Sequence, residues 1–231
     1  MPDLNLFLTG GVQLLILLLG ICAHEAAHAR AAARLGDATA VKLQRGGLNP
    51  LRHLDPVGSL LLPVLLLLLH APPLFGWGRP TPIYLKNLRD PRRDLARIAI
   101  AGPLANLALS GVGVAALVVT IRMLGPEAGE VAALCLVREE AAAIGRPHFP
   151  LVFTLVQFGL LNASLALFHL LPVPPLDGSH LLLRWLPRSW ARRLEIVRPF
   201  GFAVATGLAL LQVVNVLMLP LYVLMGVLIE L

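Results

Sequence analysis

The chain has 231 residues, of which 57% are hydrophobic and only 14% charged, and its mean hydropathy is +0.79. Soluble domains carry about 25% charged residues, so this composition excludes an ordinary soluble globular protein and predicts an all-α polytopic membrane protein. The net charge of +6 comes from basic residues, mostly Arg, beside apolar runs, which reads as juxtamembrane anchoring and speaks against a nucleic-acid partner.

Residues 5–34 are the first predicted helix. Met1-Pro2-Asp3 has no basic leader region and no cleavage site follows, so this apolar run is expected to be retained. Arg30, Arg34, Lys42, Arg45 and Arg52 follow it, and the positive-inside rule turns its C-terminal end towards the cytoplasm. Late in the helix stands His24-Glu25-Ala26-Ala27-His28. Imidazoles four residues apart project from one helix face and can grip a single Zn²⁺, with Glu25 beside them to polarise a water. Ionisable groups inside a membrane helix are costly unless they pair or bind something, so the cluster reads as functional. Cys22 and Cys135 give no disulfide framework and read as small packing residues.

Residues 35–56 contain Gly36, Gly46, Gly47, Pro50 and Pro56, with a short alternation at Val41-Lys42-Leu43; they predict a loop with short strands. Residues 57–75 are apolar but broken by Gly58, Pro63, Pro72 and Pro73. Basic loops flank them on both sides, the second carrying Arg79, Lys86, Arg89, Arg92, Arg93 and Arg97. A segment that leaves and returns to one face satisfies both loops, so a re-entrant hairpin is expected. The next crossing is 94–123, whose amide Asn106 needs either a packing partner or a role at the site. The connection 124–149 is the least basic and suits the outside. The crossing 150–171 returns inward, with Gln157 and Asn162 as polar points.

Leu171-Pro172-Val173-Pro174-Pro175-Leu176-Asp177-Gly178 follows, and three prolines predict extended chain that presents Asp177. If 57–75 does not cross, the first and fourth apolar segments run parallel, and His24, His28 and Asp177 fall at one depth. An interfacial helix is expected over 184–198 from Arg184, Trp185, Arg188, Trp190, Arg192, Arg193 and Arg198. The last crossing is 200–228. The expected architecture is therefore about four crossing helices, a hairpin and a small β-like loop near the site. Residues 1–231 are read as one integral-membrane domain.

Catalytic zinc takes three protein ligands and keeps one position open. Asp177 is the strongest third candidate, with His180 as the alternative. Metal-assisted hydrolysis follows, with Glu25 taking the proton of the water and passing it to the leaving amine. A substrate in this setting is itself a membrane segment, and its helix must unwind before attack; the loop 40–56 and the hairpin 57–75 are candidates for holding it. Two rivals use the same residues: an inactive protein that binds membrane helices, and a membrane metal transporter. Transport needs a continued polar path, and 98–121 and 202–228 are nearly bare of polar groups.

The chain resembles the site-2 protease family of intramembrane zinc metallopeptidases, in its short prokaryotic form without a PDZ or CBS domain. The resemblance rests on His24-Glu25-Ala26-Ala27-His28 and on Pro172-Val173-Pro174-Pro175-Leu176-Asp177-Gly178. It extends to the stretches 48–56, 76–82 (Gly76-Trp77-Gly78-Arg79-Pro80-Thr81-Pro82) and 102–106 (Gly102-Pro103-Leu104-Ala105-Asn106). It implies one Zn²⁺ on His24, His28 and Asp177, and Glu25 as catalytic base. It also implies single-span membrane protein substrates, such as anti-sigma-type regulators, and a multi-pass place in the cell's inner or plasma membrane with the site towards the cytoplasm. One departure stands out: His169 occupies the position where the family pattern has Asn. A histidine there can still donate a hydrogen bond, or act as a further metal ligand that closes the open position. His169, Asn106 and His53 are the candidates for substrate or transition-state support. The sequence leaves the oligomeric state open.

Overall fold

The computed structural model describes residues 2–69, 76–187, 189, 199–201, 203–208, 211 and 213–230. Three helices are long and apolar enough to cross a membrane. The first, α1, spans Pro2–Arg34 and ends where Gly36 takes a φ of +115°. After it, the Leu62–Leu68 helix (α2) belongs to the expected hairpin. The second long helix, α3, spans Pro91–Leu124. Asp90 caps its N-terminus by accepting from the Arg93 N–H, and Gly125 ends it at φ +86°. Pro126–Leu136 (α4) leads across to the third long helix, α5, at Phe149–His169. Asp177–Trp185 (α6) follows the proline stretch, and Leu219–Glu230 (α7) closes the chain.

The directions of the long helices follow from three contacts. His24 meets Asn106 while His28 meets Ile98, so α1 and α3 are antiparallel. Gly113 lies against Gly159 while Asn106 bonds Asn162, so α3 and α5 are antiparallel too. Helices α1 and α5 therefore run parallel, and His24, His28 and His169 share one end of the bundle. The core on the other side joins Leu117, Val131, Phe153, Val214, Met218 and Met225. Burial pushes the Cys135 thiol in that core up to about 12, with Glu140 adding to the shift, so it stays an inert packing group.

The chain after the hairpin lies beside the stretch that enters it. Pro56–Leu61 is π-helical and capped by Asp55, and α2 continues it. Thirteen residues at 1.5 Å rise reach about 20 Å, short of a hydrocarbon core of about 30 Å. The chain then comes back beside its own entry. The Trp77 N–H donates to Gly58 O at 3.2 Å, the Arg79 N–H to His53 O at 2.6 Å, and Leu54 bridges Gly78 in antiparallel fashion. That bridge is the only β-type pairing outside helices among the described residues, and it is the small β-like element near the site. Residues 70–75, His70 among them, lie outside the described residues.

Three local expectations need correction. Val41-Lys42-Leu43 does not form a strand; Thr39–Lys42 is a helical turn, because the Asp37 carboxylate accepts from Thr39 N and Oγ1 and starts it. The stretch 171–178 is not simply extended. It folds into turns, with Val173 N bonding Leu171 O and Leu176 N bonding Val173 O, and Asp177 opens a helix. The segment 200–228, expected as the last crossing, is broken rather than regular: Val213–Leu217 and α7 are separate helices on either side of Met218, where Pro220 lacks the N–H that would continue the ladder. Gln212 lies outside the described residues, as do 188 and 190–198 of the expected interfacial helix; Trp185 is exposed beneath the Arg184 guanidinium.

Two polar fastenings hold the site end of the bundle. Asp37 is fully buried and accepts from Thr39 N, Thr39 Oγ1, Tyr84 N and Asn87 Nδ2, tying the end of α1 to the approach to α3. Burial alone would raise its pKa, but these donors outweigh it and hold the carboxyl below its usual value. Arg92, in the first turn of α3, donates from Nε to Leu183 O at 2.8 Å and from Nη2 to the Leu183 and Leu186 carbonyls, closing the C-terminus of α6.

Candidate active site

His24 and His28 sit one turn apart on α1 and are nearly fully buried. Each uses Nδ1 to anchor itself on α3. His24 Nδ1 lies 2.7 Å from Asn106 Oδ1, and His28 Nδ1 lies 2.8 Å from Ile98 O. The orientation of the Asn106 amide is fixed, since its Nδ2 faces Gly20 O at 3.1 Å and Asn162 Oδ1 at 2.9 Å. Asn162 is fixed in turn, its Nδ2 donating to Phe158 O. Oxygen acceptors therefore face both Nδ1 atoms, which carry the protons, and both Nε2 atoms present lone pairs.

Those lone pairs point at a carboxylate. His24 Nε2 is 3.0 Å and His28 Nε2 3.3 Å from Asp177 Oδ2. Two nitrogen lone pairs facing an anionic oxygen repel unless a cation stands among them. Ligands 2.0–2.1 Å from a tetrahedral zinc are about 3.3 Å apart, so the donor set fits that ion with small movements. Space is kept for it by Gly102 on α3: a Cβ there would stand 2.5 Å from both Nε2 atoms. Asp177 is brought in by α6, whose N-terminus favours an anion. Gly178 permits this approach, since a Cβ would stand 2.1 Å from Leu170 O.

His169, the last residue of α5, places Nδ1 3.0 Å from the same Asp177 Oδ2 and its ring 4.2 Å from that of His24. Ligand atoms of His24, His169 and Asp177 all lie within 4.8 Å of one another. Glu25 stands beside the cluster rather than in it, and its Oε2 accepts from Thr81 N at 3.0 Å and Thr81 Oγ1 at 2.7 Å. His53 is buried, but its Nε2 bonds Gly47 O, not a member of the cluster. Cys22 is a buried free thiol outside it.

A sequence profile for Peptidase family M50 matches residues 82–214. The chain belongs to peptidase family M50, the site-2 protease family. That membership, with three apolar helices of spanning length, makes it a multi-pass membrane zinc metalloendopeptidase that works in a lipid environment on membrane proteins. The profile match includes Gly102, Asn106, His169 and Asp177; His24, Glu25 and His28 lie before it. The M50 chain is 34% identical over 188 residues to "Putative zinc metalloprotease YwhC" of Bacillus subtilis (strain 168), covering 81% of this chain and 75% of that protein. It is 30% identical over 210 residues to "Putative zinc metalloprotease Rip2" of Mycolicibacterium smegmatis (strain ATCC 700084 / mc(2)155), covering 89% and 70%. No solved structure gives a significant match.

Thr81, Gly102, Asn162 and the Ile98 carbonyl carry parts of the site that sequence reading left unassigned. Thr81 and Gly102 lie in stretches already singled out, but their partners are 56 or more residues away in sequence, and spacing carries no sign of them. Pro103, one residue after Gly102, removes the N–H that would bond the Ala99 carbonyl in α3, while the Ile98 carbonyl one residue earlier meets His28 Nδ1.

Proposed function

We propose that this M50 peptidase hydrolyses a peptide bond within or near the transmembrane segment of single-span membrane proteins, anti-sigma-type regulators among them. His24, His28 and Asp177 hold the zinc and Glu25 is the catalytic base. The observation that carries the reading is the convergence of two imidazole lone pairs on one carboxylate oxygen, beside a glutamate, at one end of an apolar bundle. When bound there, zinc supplies the Lewis acidity that activates a water and polarises the scissile carbonyl. Glu25 accepts the proton of the attacking water and returns it to the leaving amine. Asn106 and Ile98 keep both imidazoles in the ligating tautomer, and His169 donates to Asp177 Oδ2 and orients the carboxylate. The loop 40–56 and the hairpin hold the unwound substrate strand. His53 supports that loop through Gly47. The basic residues that follow α1 and precede α3 support a site facing the cytoplasm, in the inner or plasma membrane.

A second reading is favoured by one observation, the approach of His169 to Asp177 and His24: as a further ligand it would close the open position, leaving a protein that binds membrane helices without cutting. A panel of single-span substrates in liposomes separates the two, with zinc counted in wild type, Glu25→Gln and His169→Asn. Cleavage by wild type, lost in Glu25→Gln with zinc retained, establishes the peptidase. Cleavage only after His169→Asn establishes the second reading.

A further inference from the structure

Glu25 stands outside the imidazole–carboxylate convergence, so something else must aim its side chain. Thr81 supplies it with two donors on one oxygen, the backbone N–H at 3.0 Å and the hydroxyl at 2.7 Å from Oε2. The same hydroxyl is 3.2 Å from the Glu25 carbonyl, and its single proton favours the nearer, charged oxygen. With Oε2 taken twice, Oε1 is the oxygen left for a water.

Thr81 is a stiff presenter. It lies between Pro80 and Pro82, which fix their own φ and hold the residue before each of them extended. The limb that carries it is fastened on both sides. The Arg79 N–H donates to His53 O, Gly78 bridges Leu54, and Arg45 Nη1 donates to Pro80 O at 2.7 Å. Gly78 itself packs against Ile21 and Glu25 on α1. The return limb of the hairpin therefore lies along Glu25, with Gly78 beside its stem and Thr81 bonding its carboxylate.

We propose that Thr81 is a positioning residue for the catalytic base: its N–H and hydroxyl hold Glu25 Oε2 so that Oε1 faces the reacting water, and they link the seating of the hairpin to the readiness of the base. The proposal rests on the reading of Glu25 as that base. A hydroxyl that merely fastened a loop to a helix would matter for folding or substrate affinity and not for turnover.

The test uses the full chain, zinc-loaded, in proteoliposomes with the single-span reporter that wild type cleaves fastest. Wild type, Thr81→Val, Thr81→Ser and Glu25→Gln are compared for kcat, KM, zinc content and thermal midpoint. Valine keeps the shape and the backbone N–H but removes the hydroxyl. The expected result is a fall in kcat of about 10- to 100-fold in Thr81→Val, the scale of a misaimed catalytic group, with KM within about twofold and zinc unchanged. Thr81→Ser should return kcat to within about threefold of wild type, because its hydroxyl restores the bond. Unchanged kcat in Thr81→Val, a loss confined to KM or zinc, or no recovery in Thr81→Ser overturns the proposal. Continued cleavage by Glu25→Gln instead overturns the underlying assignment of the base, which keeps the two failures distinct.

Discussion

Gly102→Ala adds one methyl group at the most demanding point of the site. The new Cβ would stand 2.5 Å from His24 Nε2, 2.5 Å from His28 Nε2 and 2.6 Å from His24 Cε1. Ordinary contact needs about 3.5 Å, so the methyl group must displace both rings by about 1 Å or occupy the metal position itself. The rings cannot recede freely, since their Nδ1 atoms are bonded at 2.7 and 2.8 Å to Asn106 and Ile98. Breaking those two buried bonds costs about 1–2 kcal/mol each, which sums to about 2–4 kcal/mol. At about 1.4 kcal/mol per factor of ten, zinc affinity should fall about 30- to 1,000-fold. Zinc per chain by elemental analysis and a chelator competition in detergent measure it. Gly111→Ala, on the same helix with open space at its Cβ, is the control and should bind zinc as wild type does. Full zinc occupancy of Gly102→Ala at wild-type affinity would refute the placement of Gly102 against both imidazoles.

Asn106→Ala removes the acceptor that fixes the His24 tautomer and leaves Asn162 Oδ1 without a donor, so zinc affinity should fall about 10- to 100-fold in the same competition. His169→Ala loses one donor to Asp177 but leaves both α1 imidazoles in place; zinc affinity should fall by about tenfold or less, and a larger fall would mark His169 as a ligand. Asp37→Asn should lower stability by about 1–2 kcal/mol near neutral pH, read as a thermal midpoint. The folded-state pKa of Asp37 lies below its unfolded value, so its contribution is present above the unfolded pKa of about 3.9 and is lost as pH falls through the folded value. The gap between wild type and Asp37→Asn should therefore hold from about pH 5 to 8 and narrow below about pH 4; a gap that does not narrow there contradicts the fastening.

Where the chemistry is local in sequence, the chain could be read directly. His24 and His28 share a helix face because they are four apart, and the loop charges on both sides of 57–75 foretold a segment that comes back to its own entry. That hairpin in turn makes α1 and α5 parallel, which is what lets Asp177 meet the histidines. The unread parts depend on partners distant in the chain. The contact of Thr81 with Glu25 needs the Leu54–Gly78 pairing, and Gly102 matters only because α3 crosses both imidazoles. The strand expected at Val41-Lys42-Leu43 failed for a different reason: the preceding Asp37–Thr39 turn outweighs a three-residue alternation. Pro220 breaks the helix within the last expected crossing, at a point that composition alone does not mark.

Whether a zinc held on His24, His28 and Asp177 cuts a peptide bond inside a membrane segment is decided by mass-spectrometric mapping of the products from a single-span substrate in liposomes, run with zinc-loaded wild type, chelator-stripped wild type and Asp177→Asn. One cut is expected within or beside the apolar segment, abolished by stripping, restored by added zinc and absent in Asp177→Asn. Cleavage that survives zinc removal, or falls only in the soluble part of the substrate, would contradict it.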